Sequence, residues 1–249
     1  MIFYHFNRTV VPDTQTSLIK TLFGCKNFAD SGRLLGSSKG RGTTWFLNTQ
    51  AELGVNTVLR HYYRGGLFGK IVKDQYLFNG LENTRAFQEF SLLEKLHEWH
   101  LPVPQPIALK VEKTCCWYRA DIMLEKIEGT QDLSKYLQTN ALSDTQYQQI
   151  GKLIRQLHDH QVHHSDLNIH NILLDPASGR FFLIDFDKCG ISQANDWKTE
   201  NLARLLRSFK KEQTRLNIRF NEQNWQALLA GYHNNAINKK EESLKGFLL

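Results

Sequence analysis

The chain has 249 residues, with 31 Lys and Arg against 25 Asp and Glu and a formal charge of +6. Its 22% charged and 41% hydrophobic residues exclude a disordered or collagen-like chain and can fill the core of one large domain or two modest lobes. Four scattered cysteines, no basic-then-apolar leader and no apolar run near the ~18 residues that span a bilayer argue against a disulfide scaffold, a secreted protein and a membrane-spanning one.

In chain order, short runs at Arg33–Leu35, Thr43–Leu47 and Val55–Tyr63 carry β-branched and aromatic residues between Gly or Asn turns, the pattern of strands. From Asn83 to His100 the period changes. Phe87, Phe90, Leu93 and Leu96 recur at helical spacing, which predicts a helix with one buried face. Leu101-Pro-Val-Pro-Gln-Pro stops it, since three prolines exclude helix. Strands near Ile107–Val111 and Trp117–Leu124 follow, and adjacent Cys115 and Cys116 read as one core and one surface residue of a strand.

Glu128-Gly129 reads as a hinge separating residues 1–127 from residues 128–249. Beyond it, Ser143 and Gln146 have capping-box spacing ahead of a helix with Ile150, Leu153, Ile154 and Leu157 on one face. Ile172–Leu174 and Phe181–Ile184 are short strands joined by an Asp-Pro-Ala-Ser-Gly-Arg hairpin turn. Leu202, Leu205, Leu206 and Phe209 mark a further helix, and Trp225, Leu228, Leu229 and Tyr232 a last one, with Trp197 and Trp225 as core anchors. The expected fold class is α+β: a strand-rich lobe, a helical lobe and a ligand cleft between them.

The segment richest in chemistry is His163-His-Ser-Asp-Leu-Asn-Ile-His-Asn-Ile-Leu-Leu-Asp175, followed by Phe182-Leu-Ile-Asp-Phe-Asp-Lys188. Asp166 and Asn171 lie on a loop before one apolar strand, and Asp185 ends the next, so a hairpin delivers two carboxylates and an amide to one place. Such oxygen donors suit Mg²⁺, which takes few protein ligands and completes its shell with water and phosphate. Five histidines fall between His158 and His170, but no spacing among them supports zinc.

His164-x-Asp166-Leu-x-x-x-Asn171 with Ile-Asp185-Phe-Asp resembles the catalytic loop and metal-binding motif of protein-kinase-like phosphotransferases. The resemblance implies that Asp166 is the catalytic base, that Asn171 and Asp185 are Mg²⁺ ligands and that His164 braces the loop. It implies MgATP as cofactor. Gly36-Ser-Ser-Lys-Gly-Arg-Gly42 is then the nucleotide flap, a tight turn in which Gly36, Gly40 and Gly42 free N–H groups for phosphate while Lys39 and Arg41 add charge. Arg60 stands where such kinases carry a Lys on the third strand, with Glu89 of the apolar-striped helix as its partner, though Lys70 or Lys73 could take the role instead.

Three departures stand out: Asp187 replaces a Gly, Asn168 replaces a Lys, and the chain ends 62 residues beyond Asp187 without an Ala-Pro-Glu segment. Little room is left for docking a peptide, which favours a small or sugar substrate.

Val58-Leu-Arg-His-Tyr-Tyr-Arg-Gly-Gly66, Gly69-Lys, Tyr76-Leu-Phe, Thr84-Arg-Ala-Phe-Gln-Glu89, Leu101-Pro-Val-Pro and Asp185-Phe-Asp-Lys resemble, over nearly the whole chain, the lipopolysaccharide-kinase group of that superfamily. The resemblance implies transfer of the ATP γ-phosphate to the 4-hydroxyl of 3-deoxy-D-manno-octulosonic acid (Kdo) on a lipid A precursor. It implies an enzyme peripheral to the cytoplasmic face of the bacterial inner membrane. The mild basicity permits an anionic partner, but neither nucleic acid nor an obligate protein partner is expected. Leu67 and Phe68, set among Arg64, Lys70 and Lys73, form a candidate tip for touching an anionic bilayer. The rival readings are a small-molecule kinase of the aminoglycoside or choline type and a catalytically dead kinase-fold adaptor.

Overall fold

The computed structural model describes residues 1–24, 32–39, 42–65 and 73–245, with residues 235–245 described by backbone alone. The chain divides into two compact units, Met1–Glu98 with Pro104–Glu128, and Trp99–Val103 with Gly129–Leu249.

The first unit is built on one antiparallel sheet. Its elements are β1 (Ile2–Phe6), α1 (Thr16–Gly24), β2 (Leu34–Lys39), β3 (Thr43–Leu47), α2 (Gln50–Leu53), β4 (Thr57–His61), β5 (Tyr76–Leu77), α3 (Arg85–Glu98), β6 (Pro106–Thr114) and β7 (Trp117–Glu125). The strand order is β1-β6-β7-β4-β3-β2, with β5 also paired to β7. Because side chains alternate along a strand, the sheet has two different faces. Leu47, Leu59 and Met123 lie in one cluster with Ile19, Leu22 and Phe23 of α1. Arg60, one residue on from Leu59, points the other way and meets Glu89 of α3. That helix buries Phe90, Leu93 and Leu96, three of the four apolar positions its period marks.

The second unit contains β8 (Gln131–Asp132), α4 (Leu133–Thr139), α5 (Asp144–Asp159), β9 (Val162–His163), β10 (Ile172–Leu174), β11 (Phe181–Leu183), β12 (Gly190–Ile191), α6 (Trp197–Leu216) and α7 (Glu222–Lys245). The capping box at Ser143 and Gln146 is present, each residue satisfying an orphan N–H of the other. Ile150, Leu153, Ile154 and Leu157 are all buried. Gly151 and Gly231 let the backbones of α5 and α7 touch: a Cβ on Gly151 would run into the Leu228 carbonyl, and one on Gly231 into Gln148. Gly151→Ala should therefore cost about 1–3 kcal/mol by overpacking, outweighing the ~1 kcal/mol that alanine gains in helix propensity. Urea unfolding should show a lower midpoint at unchanged slope.

The structure corrects several expectations. Gly36 and Lys39 lie in strand β2 rather than in a turn, because Gly36 through Lys39 pair with Thr43–Phe46 of β3. Gly40 and Arg41 of the flap, and Leu67, Phe68 and Lys70, fall outside the described residues. Cys115 and Cys116 are both exposed. They form the turn between β6 and β7, with Cys115 in the left-handed region at φ 55°. Trp225 is buried, but Trp197 is only half-buried at the start of α6.

Candidate active site

The loop after β9 is held by its own backbone and by one buried ring. His164 is fully buried, and burial lowers its pKa, so the imidazole is neutral. Its Nε2–H donates to the Ile184 carbonyl at 3.1 Å, and its Nδ1 accepts the Asp166 N–H at 3.3 Å. One side chain thus ties the residue before Asp185 to Asp166. Asn171, 8% exposed, donates its Nδ2–H to the Asp166 carbonyl at 2.9 Å, and its own carbonyl accepts the Ile184 N–H at 3.0 Å. Among the described residues no protein donor reaches the Asn171 Oδ1.

β10 and β11 pair Ile172 with Leu183, which draws Asp185 toward Asn171, although Asp185 lies two residues beyond β11 rather than at its end. Asp185 has φ 63°, a left-handed conformation that Asp tolerates better than most residues. Phe186 is 1% exposed and packs its ring 5.0 Å from that of His164. The next left-handed position is Lys188 at φ 61°, so the backbone makes no demand for glycine at Asp187. Asn168 caps the short helical turn Ile169–Asn171 by accepting the His170 N–H at 2.8 Å.

α6 runs along this loop and meets it with one polar stripe. Asn201 Nδ2 donates to the His164 carbonyl (2.8 Å), Arg204 Nη1 to Asp166 Oδ1 (3.3 Å), and Ser208 Oγ accepts the Ile169 N–H (3.0 Å). Glu212 Oε1 lies 3.4 Å from His170 Nε2, and Arg215 pairs with its other oxygen. Burial tends to raise the Glu212 pKa, and the bonds from Arg215 and His170 more than reverse this, leaving it lowered. Asp132, which no motif in the sequence marks, sits 2.8 Å from His170 Nδ1 and also caps α4. The spacing Asn201-x-x-Arg204-x-x-x-Ser208-x-x-x-Glu212 is one helix face. That periodic polar face is the available signal, next to the buried Leu205 and Phe209.

Behind Asn201 stands His158, 1% exposed, its Nε2 3.3 Å from Asn201 Oδ1 and its Nδ1 2.9 Å from the Tyr232 hydroxyl. Burial pushes its imidazole down to about 4. The unfolded chain therefore binds the extra proton between about pH 6.5 and 4, so this part of the stability is present above pH 6.5 and lost as pH falls toward 4. The displacement is worth about 3 kcal/mol. Melting temperature should drop across that window, and His158→Gln should flatten the drop.

In the first unit, Arg60 Nη2 donates to both Glu89 oxygens, at 2.6 and 2.7 Å. Glu89 is no solvated surface glutamate, since only 2% of it is exposed. The Tyr62 hydroxyl donates to Glu89 Oε2 at 2.6 Å, and burial followed by the charge of Glu89 pushes that phenol's pKa well up. At the flap, a Cβ on Gly42 would collide with the ring of Tyr63, so any other residue there would require that ring to move.

A family model described as Lipopolysaccharide kinase (Kdo/WaaP) family matches residues 26–232. The chain belongs to this lipopolysaccharide kinase family. Two of its relatives bear the name 3-deoxy-D-manno-octulosonic acid kinase. The one from Actinobacillus succinogenes is 52% identical over 235 residues, 93% of this chain and 96% of the relative. The one from Mannheimia succiniciproducens is 58% identical over 205 residues, 81% and 85% of the two chains. The solved structure of WaaP in complex with acyl carrier protein aligns over 99% of this chain and 95% of that one, with TM-score 0.57 and 17% identity. That likeness is one of fold, and the α+β fold of the lipopolysaccharide kinase family member described here is protein-kinase-like.

Proposed function

We propose that the chain transfers the γ-phosphate of ATP to the 4-hydroxyl of Kdo on a lipid A precursor. The observation that carries this is the 52% identity, over 93% of the chain, to a relative named as a Kdo kinase. The second unit supports the chemistry. The acceptor hydroxyl gives its proton to Asp166 as its oxygen bonds to the γ-phosphorus, and the bond from that phosphorus to the β–γ bridging oxygen breaks to release ADP. Asn171 and Asp185 would hold Mg²⁺. The donor set fits, because an amide oxygen and a carboxylate are hard oxygen ligands and the Asn171 amide is oriented by its bond to the Asp166 carbonyl. When bound, that ion neutralises phosphate charge.

Arg60, steadied by Glu89, would clamp the nucleotide phosphates with a planar fork in place of the ammonium point charge of a lysine. Arg60→Ala should lower kcat/KM for ATP about tenfold or more, the size of a charge-assisted hydrogen bond, while Lys70→Ala does less. Greater damage in the Lys70 variant would mean that the third-strand alignment is wrong.

Among the described residues no helix is long and apolar enough to cross a membrane. We further propose that the enzyme reaches its lipid-linked acceptor as a peripheral protein on the cytoplasmic face of the inner membrane. Labelled ATP offered with lipid-linked Kdo, free sugars, an aminoglycoside and choline tests the function. Transfer to lipid-linked Kdo is expected. Transfer only to the aminoglycoside or choline overturns the acceptor, and ATP binding without any transfer leaves the adaptor reading.

A further inference from the structure

Arg204 reaches the one side chain that the acceptor hydroxyl has to approach. Its pair with Asp166 is open to solvent, with the two side chains 46% and 53% exposed, and pairs so exposed hold weakly. Among the described residues Arg204 has no other hydrogen-bond or ion-pair partner. Its neighbours on the same helix face are committed elsewhere: Asn201 to a backbone carbonyl, Ser208 to a backbone N–H, Glu212 to Arg215 and His170. These three shape the loop. Arg204 does not: among the described residues its direct bond is to a half-exposed carboxylate, and it also feels the charge of Glu200 one turn back on α6.

A guanidinium has five N–H donors arranged to receive a carboxylate through two parallel bonds. An anionic group entering beside Asp166 can take the guanidinium at small cost. The Kdo reading makes the acceptor a sugar acid whose carboxylate is carried on the same small ring system as the reacting hydroxyl. Resting on that reading, we infer that Arg204 binds the acceptor's carboxylate and so makes the enzyme select a sugar acid over a neutral sugar. Before the acceptor binds, Asp166 stands in for that carboxylate, and the acceptor displaces one carboxylate with another.

The test uses the full chain with two acceptors, lipid-linked Kdo and its carboxylate methyl ester, which has the same reacting hydroxyl without the charge. The unmodified protein should prefer the acid at least about tenfold in kcat/KM. Arg204→Ala should erase the preference by losing activity on the acid alone, with KM for ATP unchanged. Arg204→Lys should keep part of the preference, and Arg204→Gln, which preserves side-chain bulk on the helix, should behave as the alanine variant does. Equal loss on both acceptors in Arg204→Ala would reduce the residue to a positioner of Asp166 and overturn the inference. Equal use of acid and ester by the unmodified protein would overturn it too, leaving the Kdo reading intact. Transfer to neither acceptor would remove the Kdo reading and the inference together.

Discussion

Asp166→Asn should lower kcat by roughly 10²–10⁴-fold, the usual contribution of a positioned proton acceptor, while the protein keeps its fold and its affinity for ATP. The structure says why the fold survives. The loop is held through the Asp166 backbone, whose N–H goes to His164 and whose carbonyl accepts from Asn168 and Asn171. The side chain is 53% exposed, and its ion pair with Arg204, the one it makes among the described residues, is a surface pair, so its loss costs at most about 1 kcal/mol. An amide of the same shape cannot take the proton of the hydroxyl. Turnover measured at saturating ATP, beside a melting curve, checks this. A variant that melts normally and turns over within a few fold of the parent would remove Asp166 from the role of base.

The legibility of this site in the sequence comes from how local it is. Asp166, Asn171 and Asp185 sit on one loop and one hairpin, and the hairpin's pairing of Ile172 with Leu183 is announced by two short apolar runs and a turn between them. Arg60 and Glu89 can be matched across 29 positions because the order of a strand and an apolar-striped helix restricts which charges can meet. The stripe on α6 is hidden for the opposite reason. Its polar residues reach a loop more than 30 positions away, and polar residues at helical spacing look like a solvated face until the loop they grip is seen.

Elsewhere pairing overrides local chemistry. Ser37, Ser38 and Lys39 are poor strand formers, yet their ladder to Trp45, Thr44 and Thr43 holds them extended, because strand preference depends on the neighbours. β1 gains its place from β6, with Ile2 opposite Glu112, a partnership that no window of neighbouring residues reveals. The Cys115-Cys116 turn lacks Gly, Asn, Asp or Pro, the residues that normally signal left-handed backbone, and so it reads as strand.

Asp185→Asn should reduce turnover by roughly 10²–10³-fold at ordinary Mg²⁺, about the effect of removing one preorganised electrostatic stabiliser, with part of the loss recovered as Mg²⁺ is raised. The substitution is chosen to leave the backbone alone. Asp185 holds φ 63°, and asparagine shares with aspartate the ability to occupy that left-handed region. Alanine there would add backbone strain to the loss of charge and confuse the two. The backbone contacts beside it are made by other groups: the Ile184 carbonyl accepts from His164 and the Ile184 N–H goes to Asn171, and Phe186 packs against His164. What asparagine removes is one negative charge two residues beyond β11, a charge that a bound cation would neutralise. A neutral amide is a weaker ligand for a hard cation than a carboxylate, so the apparent Mg²⁺ requirement should shift upward while the KM for the sugar acceptor stays put. Titrating Mg²⁺ at fixed ATP separates the outcomes. Near-normal turnover at saturating Mg²⁺ with no shift in the requirement would remove Asp185 from the metal site, leaving its left-handed backbone to be explained by the turn into Phe186 alone.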